Sequence, residues 1–190
     1  MSLIEPMKSS IHALMRCGAL ALLVGAGQAG ASEYGCKVLL CLANPASNGG
    51  PRGIAECVPP INQLFNDLLH GRPFPSCEEA EGSGSRAVQV YDPFDPCPAP
   101  LEPAEPGLYI VQGRQSAKAG VFGFALDGTP DLGTNRQRAC VGKIAGGYQV
   151  GGRDDSYDVT VFEKVVWQQA QSPRAIDVYQ DNVWYQRVHW

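Results

Sequence analysis

The alternation of apolar and polar positions changes character along the chain. Residues 34–43 (YGCKVLLCLA) form a compact apolar run of good helix formers that stops at Asn44-Pro45. Residues 60–70 (PINQLFNDLLH) place Ile61, Leu64, Phe65, Leu68 and Leu69 at i, i+3, i+4, i+7 and i+8, the spacing of one helical face. Pro60 in the first turn and Gly71 past the end mark the boundaries of that helix, and Pro73 and Pro75 prevent its continuation. Between the two runs, residues 44–53 (NPASNGGPRG) carry turn chemistry throughout, so the helices are expected to fold back as a hairpin.

From residue 107 the period becomes two. Strands are expected over 108–112 (LYIVQ), 120–126 (GVFGFAL), 139–150 in two pieces, 157–167 (YDVTVFEKVVW) and 175–179 (AIDVY), all rich in β-branched and aromatic residues. Residues 183–190 (VWYQRVHW) should pair back on 175–179 through the turn Gln180-Asp181-Asn182. Strict alternation puts Trp184, Val188 and Trp190 on one face of that last strand, with Tyr185 and Arg187 on the other. The glycine-flanked stretch 146–152 reads as a hairpin with bulges rather than as a phosphate loop. The middle of the chain, 78–106, opens acidic and flexible, passes a short strand at 87–91 and turns Pro-rich, which resists helix and sheet and favours extended backbone. The expected fold is α+β: a helical hairpin over 32–77, an acidic, Pro-rich linker over 78–106, and a small antiparallel β-rich domain over 107–190.

The amino terminus reads as an address rather than as structure. Lys8 and Arg16 flank a short polar stretch, residues 17–26 are apolar or small, and Ala29-Gly30-Ala31 follows. This is the order of a cleavable secretory signal over 1–31, starting from Met1 or Met7. The apolar run of about ten residues is half the length of a membrane span, so no span is expected after cleavage. Cys17 leaves with the signal, and the seven cysteines become Cys36, Cys41, Cys57, Cys77, Cys97 and Cys140. An even set in an exported chain predicts disulfides, although spacing alone leaves many pairings open. Cys41 lies near the end of the first helix and Cys57 just before the second, with Cys36 and Cys77 at the outer ends. A hairpin so placed favours Cys36–Cys77 nested around Cys41–Cys57, and Cys97 then falls to Cys140.

With 44% apolar residues the chain can bury a core, and a formal charge of −4 argues against a nucleic-acid partner. No cofactor fingerprint, zinc spacing or nucleophile elbow is present. Both mature histidines read as structural: His70 at a helix end, His189 as an exposed residue of the last strand. The pairs Glu78/Glu79 and Asp154/Asp155 read as solvated loop charges, and Asp154, Asp155 and Asp158 lack the alternation of a calcium loop. The sequence therefore nominates no catalytic, cofactor-binding or metal-ligating residue. The candidate contact surface is the terminal edge strand, with Trp184, Tyr185, Arg187 and Trp190 available to a partner protein; the competing and favoured reading is that the tryptophans simply cover the core.

The blocks EYGCKVLLCLANP (33–45), AECVPPI (55–61) and GRPFPSC (71–77), with SPRAIDVYQDN near the carboxyl end, closely resemble the TrbM/KikA/MpfK family of conjugal transfer proteins. The resemblance implies a periplasmic accessory of a type IV secretion or mating-pair formation system. Its partners would be other proteins of the transfer apparatus, met by protein–protein contact and without a known reaction. Two alternatives belong to other classes. A small cell-envelope enzyme or inhibitor acting on peptidoglycan would need a buried acidic residue in a cleft, with Glu56 or Glu163 as the candidate. A toxic effector is the other.

Overall fold

The computed structural model describes residues 28–190 apart from 81 and 118–121. Most of the expected leader lies outside these residues. The first helix, α1 (Gln28–Leu42), begins earlier than the apolar run, and the second, α2 (Val58–Leu69), follows a series of short 3-10 turns. Gly35, Val38, Cys41 and Leu42 are buried on α1, and Ile61 and Leu64 on α2. Asn44 organises the turn between the helices. Its side-chain amide donates to the carbonyls of Asn48 (3.0 Å) and Gly50, and its oxygen accepts from Asn48 Nδ2 (2.8 Å).

The remainder of the chain is β-rich. Strand β1 (Arg86–Tyr91), falling in the stretch of turn- and proline-rich sequence, is followed by β2 (Glu102–Pro103), β3 (Tyr109–Gln115), β4 (Phe124–Leu132), β5 (Gln137–Val141), β6 (Ile144–Val150), β7 (Tyr157–Phe162), β8 (Val165–Gln169), β9 (Arg174–Gln180) and β10 (Val183–His189). They build three sheets, in the orders β1-β9-β10, β2-β5-β8 and β4-β3-β7-β6. Every pair is antiparallel except β3 with β7, which is parallel, so the third sheet is mixed rather than purely antiparallel as expected. The single run expected over 157–167 is two strands. β7 ends at Phe162 and β8 starts at Val165 in a different sheet, because exposed Glu163 and Lys164 make the corner. β4 starts later than its apolar run and extends through polar residues to Leu132.

The helices share their core with the last strands. Val38, Cys41, Leu42, Cys57, Ile61 and Leu64 pack with Ile176 and Val178 of β9 and Val188 of β10. Gln186 of β10 donates its side-chain amide to the Leu42 and Asn44 carbonyls at the carboxyl end of α1, where helical carbonyls lack intrahelical partners. A second cluster lies between the other two sheets, built on Ile110, Ala139, Val141 and Phe162. A third, Val111, Phe124, Val159 and Val161, lies within the mixed sheet itself. That sheet curls until the Phe124 ring reaches Gly146, where φ is +151° and a Cβ would meet the ring.

Three disulfides bind these parts: Cys36–Cys77, Cys41–Cys57 and Cys97–Cys140, with Cα separations of 4.6, 5.4 and 5.5 Å. Cys41–Cys57 closes a sequence separation of 16. Replacing both cysteines with alanine is expected to cost about 3 kcal/mol on the chain-entropy account. The urea midpoint measures this, and an unchanged midpoint would show that the helices need no covalent tie.

Candidate functional site

The carboxy-terminal ribbon carries the densest polar chemistry of the described residues. β9 and β10 join through Asp181 and Asn182, both at positive φ (50° and 64°), as the two-residue turn of a twisted hairpin requires. Asn182 also accepts from Arg86 Nη1 (2.8 Å), and its backbone N–H donates to the Gly84 carbonyl (3.0 Å), fixing the start of β1 beside the turn. β9 occupies the centre of its sheet, leaving β10 at an edge.

A bulge in β10 decides what faces what. Trp184 pairs with Tyr179, but Gln186 pairs with Val178 and Arg187 with Asp177, so Tyr185 is the extra residue. The slip turns Val188 toward the helices and sets Arg187 opposite Asp177. Trp184 consequently stands on the Asp177 face rather than with Val188, contrary to the strict alternation expected from the sequence.

On that face, Arg187 is fully engaged. Its Nε and Nη2 donate to the two oxygens of Asp177 (2.7 and 2.9 Å), and its Nη1 donates to Asp92 (2.9 Å) and to the Phe94 carbonyl. Only 8% of the Arg187 side chain and 7% of the Asp177 side chain are exposed. Trp184 Nε1 adds a third donor to Asp177 at 3.2 Å. Arg138 of β5 donates to the Asp95 carbonyl (2.6 Å), lies 3.7 Å from the Asp92 carboxylate, and covers the Phe94 ring. Burial by itself would raise the Asp177 carboxyl, but the hydrogen bonds from Arg187 and Trp184 and the Arg187 charge outweigh it and hold the group below the usual carboxylate range. Asp92 follows the same balance: burial raises it, and the Phe94 N–H with Arg187 and Arg138 bring it lower. Asp177, before any other group, raises the pKa of the Arg187 guanidinium. All three groups are therefore charged at neutral pH, and the cluster acts as an electrostatic clamp rather than as an acid–base pair.

His189 belongs to this clamp and is not an exposed strand residue. Its Nδ1 lies 2.6 Å from the Ser172 carbonyl and its Nε2 lies 3.1 Å from Asp95, with 8% of the side chain exposed. Ser172, His189 and Asp95 converge, but not as a nucleophile relay. The Ser172 hydroxyl donates to the Trp190 carbonyl at 2.6 Å, and the imidazole meets the Ser172 backbone carbonyl instead.

The four residues nominated on the last strand thus divide. Arg187 is committed internally. Trp190 stacks on Phe65 of α2 at 5.3 Å, with Arg174 over its ring, so it cements α2 to the sheet. Trp184 and Tyr185 remain 39% exposed, beside Val183 at 67%. The two carboxylates considered for an envelope enzyme are both exposed: Glu56 lies in a 3-10 turn, and Glu163 lies 3.8 Å from Lys143. Neither has the buried cleft that reading required. His70 accepts the structural role expected of it, its Nδ1 lying 2.7 Å from the Asn66 carbonyl at the end of α2. Asp154, Asp155 and Asp158 are exposed around the β6–β7 turn. Among the described residues one group has metal-ligand proximity, Cys36, Cys77 and Glu79, but its two sulfurs are bonded to each other.

Sequence reading missed Asp92, Asp95, Asp177 and Arg138. Asp177 carried a signal, as a charge in the middle of the apolar strand AIDVY. The turn, however, assigns it Gln186 as cross-strand partner, and only the bulge supplies Arg187. Asp92 and Asp95 were hidden in the apparent linker.

No protein-family model matches the chain, and no curated protein or solved structure matches it either. Among the described residues no helix is long and apolar enough to cross a membrane. The three disulfides are bonds that form and persist under oxidising conditions.

Proposed function

We propose that the chain is a non-enzymatic periplasmic accessory of a conjugative type IV secretion or mating-pair formation system, acting by protein–protein contact. The reading rests on the cysteine-bearing blocks at 33–45, 55–61 and 71–77, which resemble the TrbM/KikA/MpfK family. The observation that carries the contact mechanism is the exposed part of β10. Val183, Trp184 and Tyr185 stand at an open sheet edge, while the Arg187–Asp177 pair on one face and Trp190 on the other hold the same strand rigidly. A rigid edge strand with exposed aromatic residues loses little freedom on docking and can extend a partner's sheet. The stapled helices, packed on β9 and β10, back this edge as one body with the sheet. Export is by the amino-terminal signal.

In-frame deletion of the gene in a donor cell is expected to lower plasmid transfer by orders of magnitude, with full restoration by the wild type. A Trp184→Ala/Tyr185→Ala double variant that melts normally is expected to restore transfer poorly. Unchanged transfer after deletion would overturn the reading, and full restoration by the double variant would remove the β10 edge from it.

A further inference from the structure

The three disulfides differ in where their sulfurs could release charge. Exchange with a thiol requires attack along the S–S bond and departure of the other sulfur as a thiolate, which departs most readily when water can solvate it. Cys41 and Cys57 are both buried, 5% and 8% exposed. Cys97 is half-buried, but attack on it would expel Cys140 thiolate at a position with no solvent exposure. Cys36 and Cys77 are both half-buried residues, so neither end of this bond is enclosed as Cys41, Cys57 and Cys140 are. Glu79 restrains the reaction: its carboxylate and both sulfurs lie within 4.8 Å of one another, so incoming and departing thiolates develop negative charge beside it.

The bond also controls a surface. Two open grooves, of about 470 and 420 Å³, share Leu39, Cys77, Ala80 and Ser85 in their linings. The first is walled by Gly35 and Phe74 with Asn182 of the β9–β10 turn, the second by Leu40 and Tyr179.

We infer that Cys36–Cys77 is a site of reversible thiol–disulfide exchange with a dithiol reductant, restrained by Glu79, and that its reduction frees the wall shared by the two grooves. One thiolate of the reductant attacks Sγ of Cys36 or Cys77, the protein S–S bond breaks, and the other cysteine leaves as a thiolate and takes up a proton. The second thiolate of the reductant then attacks the reductant's own sulfur in the mixed disulfide, and the mixed S–S bond breaks. The attached cysteine leaves as a thiolate and takes up a proton, and the reductant departs as a cyclic disulfide. Two electrons and two protons end on Cys36 and Cys77. Cys41–Cys57 and Cys97–Cys140 stay closed, so the helices remain tied to each other and the Pro-rich stretch to β5.

The test is a time course of the full, oxidised protein in limiting dithiothreitol, quenched by alkylation and read by peptide mass mapping. Cys36 and Cys77 are expected to become labelled about tenfold or more ahead of the other four cysteines. Glu79→Gln is expected to speed the labelling of this pair several-fold and leave the others unchanged. Simultaneous labelling of all six disulfide-bonded cysteines would mean that exchange waits for global unfolding and would overturn the inference. So would earlier labelling of Cys97 and Cys140, and an unaltered rate in Glu79→Gln would remove Glu79 from it.

Discussion

Arg187→Ala is expected to cost about 3–5 kcal/mol, a large part of the 5–15 kcal/mol by which a domain is stable. The loss comes from the partner left behind. Asp177 would remain almost fully buried, holding only the 3.2 Å hydrogen bond from Trp184 in place of its two from Arg187. Asp92 and the Phe94 carbonyl would lose the donor that draws their segment against β10. Replacing both members, Asp177→Leu with Arg187→Leu, is expected to recover much of the loss, because no charge is then buried unpaired.

The same pair makes an opposite prediction for acid. In the wild type Asp177 and Asp92 titrate below their ordinary values. Their contribution is fully present above the unfolded-state carboxyl pKa and disappears as pH falls through the lower, folded value. Wild-type stability should therefore fall on acidification below about pH 4. In Arg187→Ala, burial dominates and raises Asp177 above its unfolded value, so its penalty is largest at neutral pH and fades as the carboxyl becomes protonated. Urea denaturation at a series of pH values should show the gap between the two proteins narrowing toward acid. A constant gap would mean that the guanidinium acts by packing rather than by charge.

Gly35→Ala is the second large effect, and two physical terms disagree about its sign. Within a helix, alanine is favoured over glycine by about 1 kcal/mol. At this position, however, a Cβ would overlap the Ser76 carbonyl oxygen, and the Cys77 backbone nitrogen would stand 3.3 Å away. The contact is with backbone, and that backbone is fixed to the adjoining residue of α1 by Cys36–Cys77, so neither side can swing clear. Overpacking of this kind costs about 1–3 kcal/mol, and the net result is expected to be destabilising. A lower melting temperature, with slower closure of Cys36–Cys77 during oxidative refolding, is the expected outcome. A higher melting temperature would show that the segment after Pro75 moves freely.

Local pattern was sufficient where one face of an element decides its burial. Ile61 and Leu64 lie on the buried face of α2 as their spacing requires, and β3, β5, β6, β9 and β10 lie in the stretches marked by β-branched and aromatic residues. It was insufficient where a distant partner sets the geometry. Tyr185 bulges because Val188 has a core to reach and Arg187 has Asp177 to meet, and neither reason is local to the strand. The stretch 91–97 looks like a connector by composition. In the structure Asp92 N–H donates to the Pro173 carbonyl and the Pro93 carbonyl accepts from Gln171, so its hydrogen bonds are made with chain about eighty residues away. The parallel contact of β3 with β7 is equally invisible to a period-two pattern, which is the same for both directions of pairing.

The shared core of the helices and the last strands also sets an order of events. Gln186 meets Leu42 across 144 residues, and Ile176, Val178 and Val188 complete the apolar surface around Val38 and Ile61. During synthesis or export from the amino end, both helices emerge long before anything arrives to cover them. Their hydrophobic faces must wait, exposed, through the appearance of two intervening sheets. Cys41–Cys57 closes entirely within the early segment and can hold the helices side by side during that interval. Under oxidising conditions the bond then stands in for a cover that comes from more than a hundred residues further along the chain.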